Sequence, residues 1–526
     1  MKPRESFLRW FLAKLPSVAP SGLHTERTPA LGVSQVRSAR TAPWTIVGQT
    51  GVPSPRWVVA MRVTLLGHAS VLVELDGATC LMDPVLGDPF EEGTVVSCPR
   101  RAVDVDSLPE LDILVVSHRH PDHLDLASLA RVARDVDAIC PADPLIVHAL
   151  RELGFPNVHP VVPMAPILGR DFELFPTRSE LASIPEMGMV FRDGSGTFWN
   201  QVDTLLSDET IDAVRDRFVT IDVLFGMYAS QNFEFFESRA TGFPVETHRR
   251  NLETALRIDP TVVVPASAGF RFSGDHEWLN AFLFPISRER FVADLGRLKP
   301  RVDARVVDPG DVLEVTMGGE VLLHVGASPV ASTEAHDTGR IAFDPTAPVP
   351  GLTDQNPDGY EPARLERLAA GLVAGLGDWA ATPAAREDRV VRAYREFGVR
   401  YRVGLVFPDG AERRFDVDFS ADPPRLAEAD VAAPEADLVH RIAASALAGW
   451  AEHRRSFFSV RASSRRFGTV YRFSRDNAHV ALEARTLPDL LMYYLVYTME
   501  GSEVAALTEV DQQLSALRAP ASPGSR

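Results

Sequence analysis

Three cysteines in 526 residues, Cys80, Cys98 and Cys140, are too few and too widely spaced for a disulfide framework, a zinc ribbon or a Cys-ligated cluster. They fit a reducing cytoplasm, which is the expected compartment. Basic residues are also short. Lys and Arg number 54 against 71 Asp and Glu, a formal net charge of −17. A surface that acidic repels phosphate backbones, so nucleic acid is excluded as a partner of the whole protein. No run approaches the roughly 20 apolar residues that cross a bilayer, and no transmembrane segment is expected. Near the start, Phe7, Leu8, Phe11, Leu12 and Leu15 share one helical face, while Arg9 and Lys14 interrupt the apolar run that a signal peptide requires. That pattern predicts an amphipathic helix that docks either on the main domain or on a membrane surface.

What remains is ordinary globular material, 45% hydrophobic and 24% charged. The length predicts two or three domains. Residues 1–60 read as an irregular arm. Residues 61–325 alternate strands and helices, beginning with Arg62–His68, Ser70–Gly77 and Thr79–Met82, followed by the apolar strand Leu111–Val116 and helical spacing over Leu124–Val136. Residues 326–360 collect Pro, Gly, Thr and Asp without periodicity and read as a linker or extended strap. Residues 361–517 read as a smaller α+β domain, with a helix at Ala363–Leu376, a hairpin at Arg400–Phe407 and Arg413–Phe419, and helices near 436–450 and 487–499. His440 and His453 read there as ordinary surface histidines. Residues 518–526 read as a disordered tail.

The chemistry lies in Ser117-His118-Arg119-His120-Pro121-Asp122-His123, directly after the buried strand. A loop at a strand's C-terminal end aims several side chains into one crevice. His118 and His120 can bind one metal ion there, while Asp122 and His123 address a second. Imidazole plus carboxylate suits zinc, iron or manganese.

This His-x-His-x-Asp-His loop resembles the signature of the metallo-β-lactamase superfamily. The resemblance implies a four-layer αββα sandwich over residues 61–325, followed by the smaller α+β domain. It assigns Asp83 to support the metal loop from behind. Gly67-His68-Ala69-Ser70 is similar to an element of the ascorbate-lactonase-like and phospholipase-D-like hydrolases, and places His68 among the supporting residues. Asp203, after the strand Thr197–Val202, matches the carboxylate that bridges the two metals.

One departure stands out. The hydrolases place a third His on the first metal, and here the corresponding stretch, Phe175–Leu181, offers only Glu180. Glu180 is therefore the expected ligand, the alternative being a surface or helix-cap carboxylate. Exchange of His for carboxylate marks the di-iron, oxygen-reactive branches of the superfamily. Met187–Phe191, Asn200–Thr204 and Val264–His276 are likewise similar to the metal domain of CMP-N-acetylneuraminate hydroxylases, which implies His276 as the last ligand of the second metal.

Two readings follow. In the first, His118, His120 and Glu180 hold one iron, Asp122, His123 and His276 hold another, and Asp203 bridges; the protein hydroxylates a small molecule with dioxygen. Asp122 and Asp203 then stand at the reacting centre. Those hydroxylases carry a Rieske cluster, which three cysteines inside the metal domain cannot build, so electrons come from a separate ferredoxin or reductase, or from the substrate. In the second reading two zinc ions activate a water to hydrolyse an ester, amide or phosphodiester. A third, a degenerate metal domain serving as scaffold for a lipid-binding module, is disfavoured by the complete loop. The C-terminal domain resembles sterol-carrier-like domains. It otherwise serves as a lid or a homodimer interface, with Phe457, Phe458, Tyr494 and Tyr497 as core.

Overall fold

The computed structural model describes residues 44–45, 60–180, 184–229, 243–430, 433, 435–467, 470–476, 479–485, 487–495 and 503–518. The expected N-terminal helix, Tyr497 and residues 519–526 lie outside these.

Two eight-stranded sheets form the first unit. One runs in the order Val321–His324, Val312–Thr316, Ala60–Gly67, Ser70–Leu75, Ala78–Met82, Ile113–Val115, Asp137–Pro141, Asn157–Val161. The other includes Glu173–Arg178, Met187–Arg192, Thr197–Asn200, Val223–Met227 and Val262–Ala266 as consecutive neighbours.

Side-chain alternation along the strands builds the layers. Val63, Val71 and Val73 of the first sheet meet Met189, Phe198 and Val264 of the second in one core between the sheets. Leu66, Leu72 and Leu81 point the other way, onto a core that includes Ile146 and Leu150 of the helix Pro144–Glu152. Trp199 and Leu224 leave the second sheet towards Val214, Leu252 and Phe291 on the helices Asp208–Arg217, Val245–Ile258 and Arg288–Leu298. Helix, sheet, sheet, helix is the expected four-layer sandwich.

Several local expectations differ from the structure. Leu124–Val136 forms only the short helix Leu126–Leu129. The strap is not structureless, because Ala331–Ala335 pairs antiparallel with Arg100–Val103. The stretch read as a helix near 436–450 begins as the strand Leu438–Ala443, whose burial alternates along its first residues, and only Ala444–Ala451 is helical. Near 487–499 the helix is Leu490–Leu495.

The C-terminal unit is a five-stranded sheet in the order Arg425–Glu428, Glu412–Asp418, Arg400–Val406, Leu438–Ala443, Ser464–Phe467. The long helix Pro362–Ala380 packs on its core through Leu365, Ala369, Val373 and Leu376. The last helix, Glu503–Arg518, leaves this unit. Its Val510 and Leu514 join the outer core of the first unit, and Asp511 meets His148 at 2.6 Å. Arg518 is therefore helical rather than part of a tail. No helix among the described residues is long and apolar enough to cross a membrane.

Candidate metal centre

The site forms where strands of both sheets end. Asp83 follows Ala78–Met82, the histidine loop follows Ile113–Val115, and Asp203 follows Thr197–Asn200. Asp83, wholly buried, holds the loop together. Its Oδ1 accepts the Ser117 N–H at 2.7 Å, and its Oδ2 accepts the Ser117 hydroxyl at 2.6 Å and His123 Nδ1–H at 2.9 Å. The Ser117 hydroxyl proton is thereby committed, so its oxygen accepts from His118 Nδ1 at 2.9 Å. These bonds hold the Nδ1 side of both rings, which is how supporting carboxylates prepare histidines for a cation, and His118 Nε2 stands 2.8 Å from His120 Nδ1. His123 Nε2 is buried without a hydrogen-bond partner.

Two groups of ligand atoms each lie within 4.8 Å of one another: His118, His120 and Asp203, and His68, Asp122 and His123. Asp203 Oδ2 also stands 3.6 Å from His123 Nε2, so one carboxylate touches both groups. The backbone is bent to make this geometry. His68, Asp83, Glu91, Glu92 and Val202 all have positive φ, between 46° and 57°. For a β-branched residue such as Val202 that is a strained conformation of the kind that gathers at functional sites. Gly269 is required by close approach, because a Cβ there would stand 2.9 Å from the His68 Cα.

Electrostatics follow from burial and proximity. Burial and the neighbouring imidazoles of His123 and His120 push His118 well below its ordinary range. Burial opposes charge on Asp122, yet His123, His68 and His120 hold its carboxyl below the usual range. Burial likewise opposes the cationic form of His123, but Asp122 and Asp203 raise it well above the ordinary value. These opposed carboxylates and imidazoles occupy the place where cations would sit.

Two expected ligands are in neither group. Glu180 is exposed and in neither group; its backbone N–H donates to Leu205 O at 2.7 Å. The strand Glu173–Arg178 ends too early to turn Glu180 inward, and the buried carboxylate near the site is Glu186, just before the strand Met187–Arg192. Ser179 donates its hydroxyl to Glu186 Oε1, while Oε2 is buried without a partner. Burial, with the Asp203 charge adding, pushes Glu186 up to about 8. His276 sits in the short turn Gly274–Leu279 and is also in neither group. Its ring bonds the backbone of Ala462 and feels Arg465. The pairing of Phe270–Phe272 with Val95–Ser97 presents Phe270 to the site instead, its ring 5.2 Å from His68.

His68, expected only as support, stands among the grouped ligands, with Nε2 3.1 Å from Asp122 Oδ2. Glu91 was missed altogether. Burial and the Asp122 and Glu92 charges raise it well above the usual carboxylate range. The adjacent acidic pair in the turn Phe90–Gly93 was its only sequence signal.

Residues 62–174 match the family model described as a beta-lactamase superfamily domain. The first unit has the metallo-β-lactamase fold. An N-acyl-phosphatidylethanolamine-hydrolyzing phospholipase D from Caenorhabditis elegans is 42% identical over 73 residues, 13% of this chain and 20% of that protein. A putative Rieske 2Fe-2S iron-sulfur protein from Mycobacterium tuberculosis is 27% identical over 226 residues, 39% of this chain and 43% of that one. The chain thus spans less than half the length of either relative. Among solved structures, the di-iron β-hydroxylase CmlA from Streptomyces venezuelae is 18% identical, covering 50% of this chain and 55% of that one with a TM-score of 0.36. An isothiocyanate hydrolase from Delia radicum gut bacteria is 16% identical, covering 48% and 98%, with a TM-score of 0.37. Metallo-β-lactamase-fold neighbours therefore include both hydrolases and a di-iron hydroxylase.

Asp83→Ala tests the support directly. It leaves the His123 ring unheld, and metal affinity is expected to fall about 10–100-fold, as when other second partners of ligating histidines are removed. Competition with a chromogenic chelator measures this; unchanged affinity would show that the Asp83 hydrogen bonds do not prepare the site.

Proposed function

We propose that this chain is a binuclear metalloenzyme whose ions are iron, and that it hydroxylates a small molecule with dioxygen. His118, His120 and Asp203 would hold one ion, and His68, Asp122 and His123 the other. The observation that supports iron is a further buried carboxyl near the first group, that of Glu186, which lies within the influence of Asp203 and His123. Where a third histidine would complete a zinc site, Ser179 instead steadies the buried carboxyl of Glu186, whose Oε2 has no partner. Hard oxygen donors favour iron or manganese over a histidine-rich zinc set. Such a centre supplies electron transfer to dioxygen, which no side chain here provides.

The protein's own part is positional. Asp83 and Ser117 fix two imidazoles, His68 orients the Asp122 carboxylate, and the strained Val202 turn directs Asp203. The buried thiols of Cys80, Cys98 and Cys140 are free, and electrons are supplied by a separate ferredoxin or reductase.

A second reading, a binuclear zinc hydrolase of an ester, amide or phosphodiester, is favoured by the 42% identity with the phospholipase D over 73 residues. Two zinc ions would bring the pKa of a bound water to about 7. Elemental analysis of protein expressed with iron and zinc both available, combined with oxygen uptake under reductant, separates the two. Iron with oxygen consumption is the expected result. Zinc-filled protein that is inert to oxygen would replace the oxygenase with the hydrolase.

A further inference from the structure

Of the two ligand groups, the one containing His120 and Asp203 is the more open. The Asp203 side chain retains 33% of its exposure and His120 is half-buried, whereas His68 and His123 are enclosed. The element standing at this opening belongs to the C-terminal unit. Phe458, on the short helix Phe457–Ala462, sets its ring edge-to-face on His120 at 5.6 Å, with an interplanar angle of 79°. Phe458 is itself half-buried, so part of an aromatic surface remains available beside the ligands.

The helix and the residues flanking it are pinned on the first unit at three places. The Ser456 N–H donates to Glu92 Oε1 at 2.7 Å. Ala462 enters the apolar cluster of Phe270, Leu279, Phe282 and Phe284. The Arg465 guanidinium lies 4.0 Å over the Trp278 ring. The first contact reaches the centre through one step of backbone. Glu92 faces Ser456 while Glu91, its neighbour, feels the charges of Asp122 and His123. Both residues hold positive φ without being glycine, a conformation that surrounding contacts must maintain.

We infer that the C-terminal unit is a fixed wall of the reaction chamber, and that Phe458 determines which substrates reach His120 and Asp203, selecting those that lay a planar apolar group against its ring. An aromatic face gains most from an offset or edge-on apolar partner, and a wall fixed at three points discriminates by shape rather than by closing. The inference builds on the metal centre proposed above but not on the identity of its metal.

The test uses the full-length, metal-loaded protein, with either iron or zinc, and two probes of different size. Pyridylazoresorcinol, a large planar chelator, reports access by the rate at which it extracts metal; azide reports ligation by a small ion. Phe458→Ala is expected to slow extraction by about tenfold, the scale of losing an apolar contact with the planar chelator, with azide affinity unchanged. Phe458→Leu should fall between, and Phe458→Trp should keep extraction at least as fast as in the native protein. Equal extraction rates across the series overturn the inference, as does a parallel change in azide affinity, which would mean that Phe458 merely holds His120 in place. Thermal melting of each variant accompanies the rates, and Phe458→Leu decides the matter if the alanine variant unfolds. A chain that holds no metal refutes the metalloenzyme itself; a loaded chain indifferent to residue 458 refutes only the wall.

Discussion

Asp203→Ala is expected to empty the centre, lowering metal affinity by at least about 100-fold, the upper end of the cost of losing a residue that merely supports a ligand. The effect is large because Asp203 serves both groups. Its carboxylate lies with His118 and His120, and 3.6 Å from His123 Nε2. Without it, the cluster keeps four imidazoles but loses half the negative charge contributed by its aspartates, so two cations repel each other with less to hold them. Elemental analysis after dialysis against a chelator reads the result. Glu180→Ala is the control and should keep full metal content, since Glu180 is exposed and bonded only through its backbone in the contacts described above. Retention of both metals by Asp203→Ala would remove this carboxylate from the ligand set.

The second large effect lies in the C-terminal unit. Asp489 is 1% exposed and accepts from His440 Nδ1 at 2.7 Å, the Tyr401 hydroxyl at 3.2 Å and the Met492 N–H at 2.9 Å, with Arg466 Nε at 3.3 Å. Asp489→Ala leaves the Arg466 guanidinium buried without a counter-charge and His440 Nδ1 without its partner, and is expected to destabilise this unit by about 3–5 kcal/mol. Urea unfolding followed by tryptophan fluorescence measures it, because Trp379 and Trp450 lie in or against that core. The pH dependence has a definite sign. Burial opposes the Asp489 charge, yet His440 and Arg466 bring its pKa down to about 2. A carboxyl depressed in the folded state stabilises fully above its ordinary pKa of about 4, and that contribution is lost as pH falls towards the folded value. Asp489→Asn should lack this acid-dependent component. An identical acid profile in the two proteins would show that Asp489 carries no such linkage.

His440 shows why parts of the molecule were illegible. As a lone histidine beside charged and apolar residues it reads as a surface group. Yet its strand pairs with both Arg400–Val406 and Ser464–Phe467 in the middle of the sheet, and it is 1% exposed. Leu438–Ala443 reads as part of a helix because the helical spacing further along extends back over it, whereas the structure makes it a strand. The last helix, Glu503–Arg518, has an apolar face, and nothing in its sequence says that Val510 and Leu514 pack on the first unit rather than the second.

At the metal centre the division is sharper. His118, His120, Asp122 and His123 were legible because a single loop carries them, so local spacing determines that their side chains converge. Asp83 and Asp203 were legible through the family resemblance, which matches each to an aspartate at a strand end. That His68 stands in a group and Glu180 and His276 do not, that Glu186 is buried nearby, and that Glu91 and Phe458 lie beside the groups were decided only by packing. Each depends on where a strand ends, how a strained turn bends, or which unit rests against which. Local spacing in the chain therefore brings His118, His120, Asp122 and His123 together, and the layered fold was legible through the family resemblance that this loop carries. Tertiary structure alone decided which distant carboxylates and rings complete the site, because contacts between remote segments are settled by the shapes of the surfaces that meet.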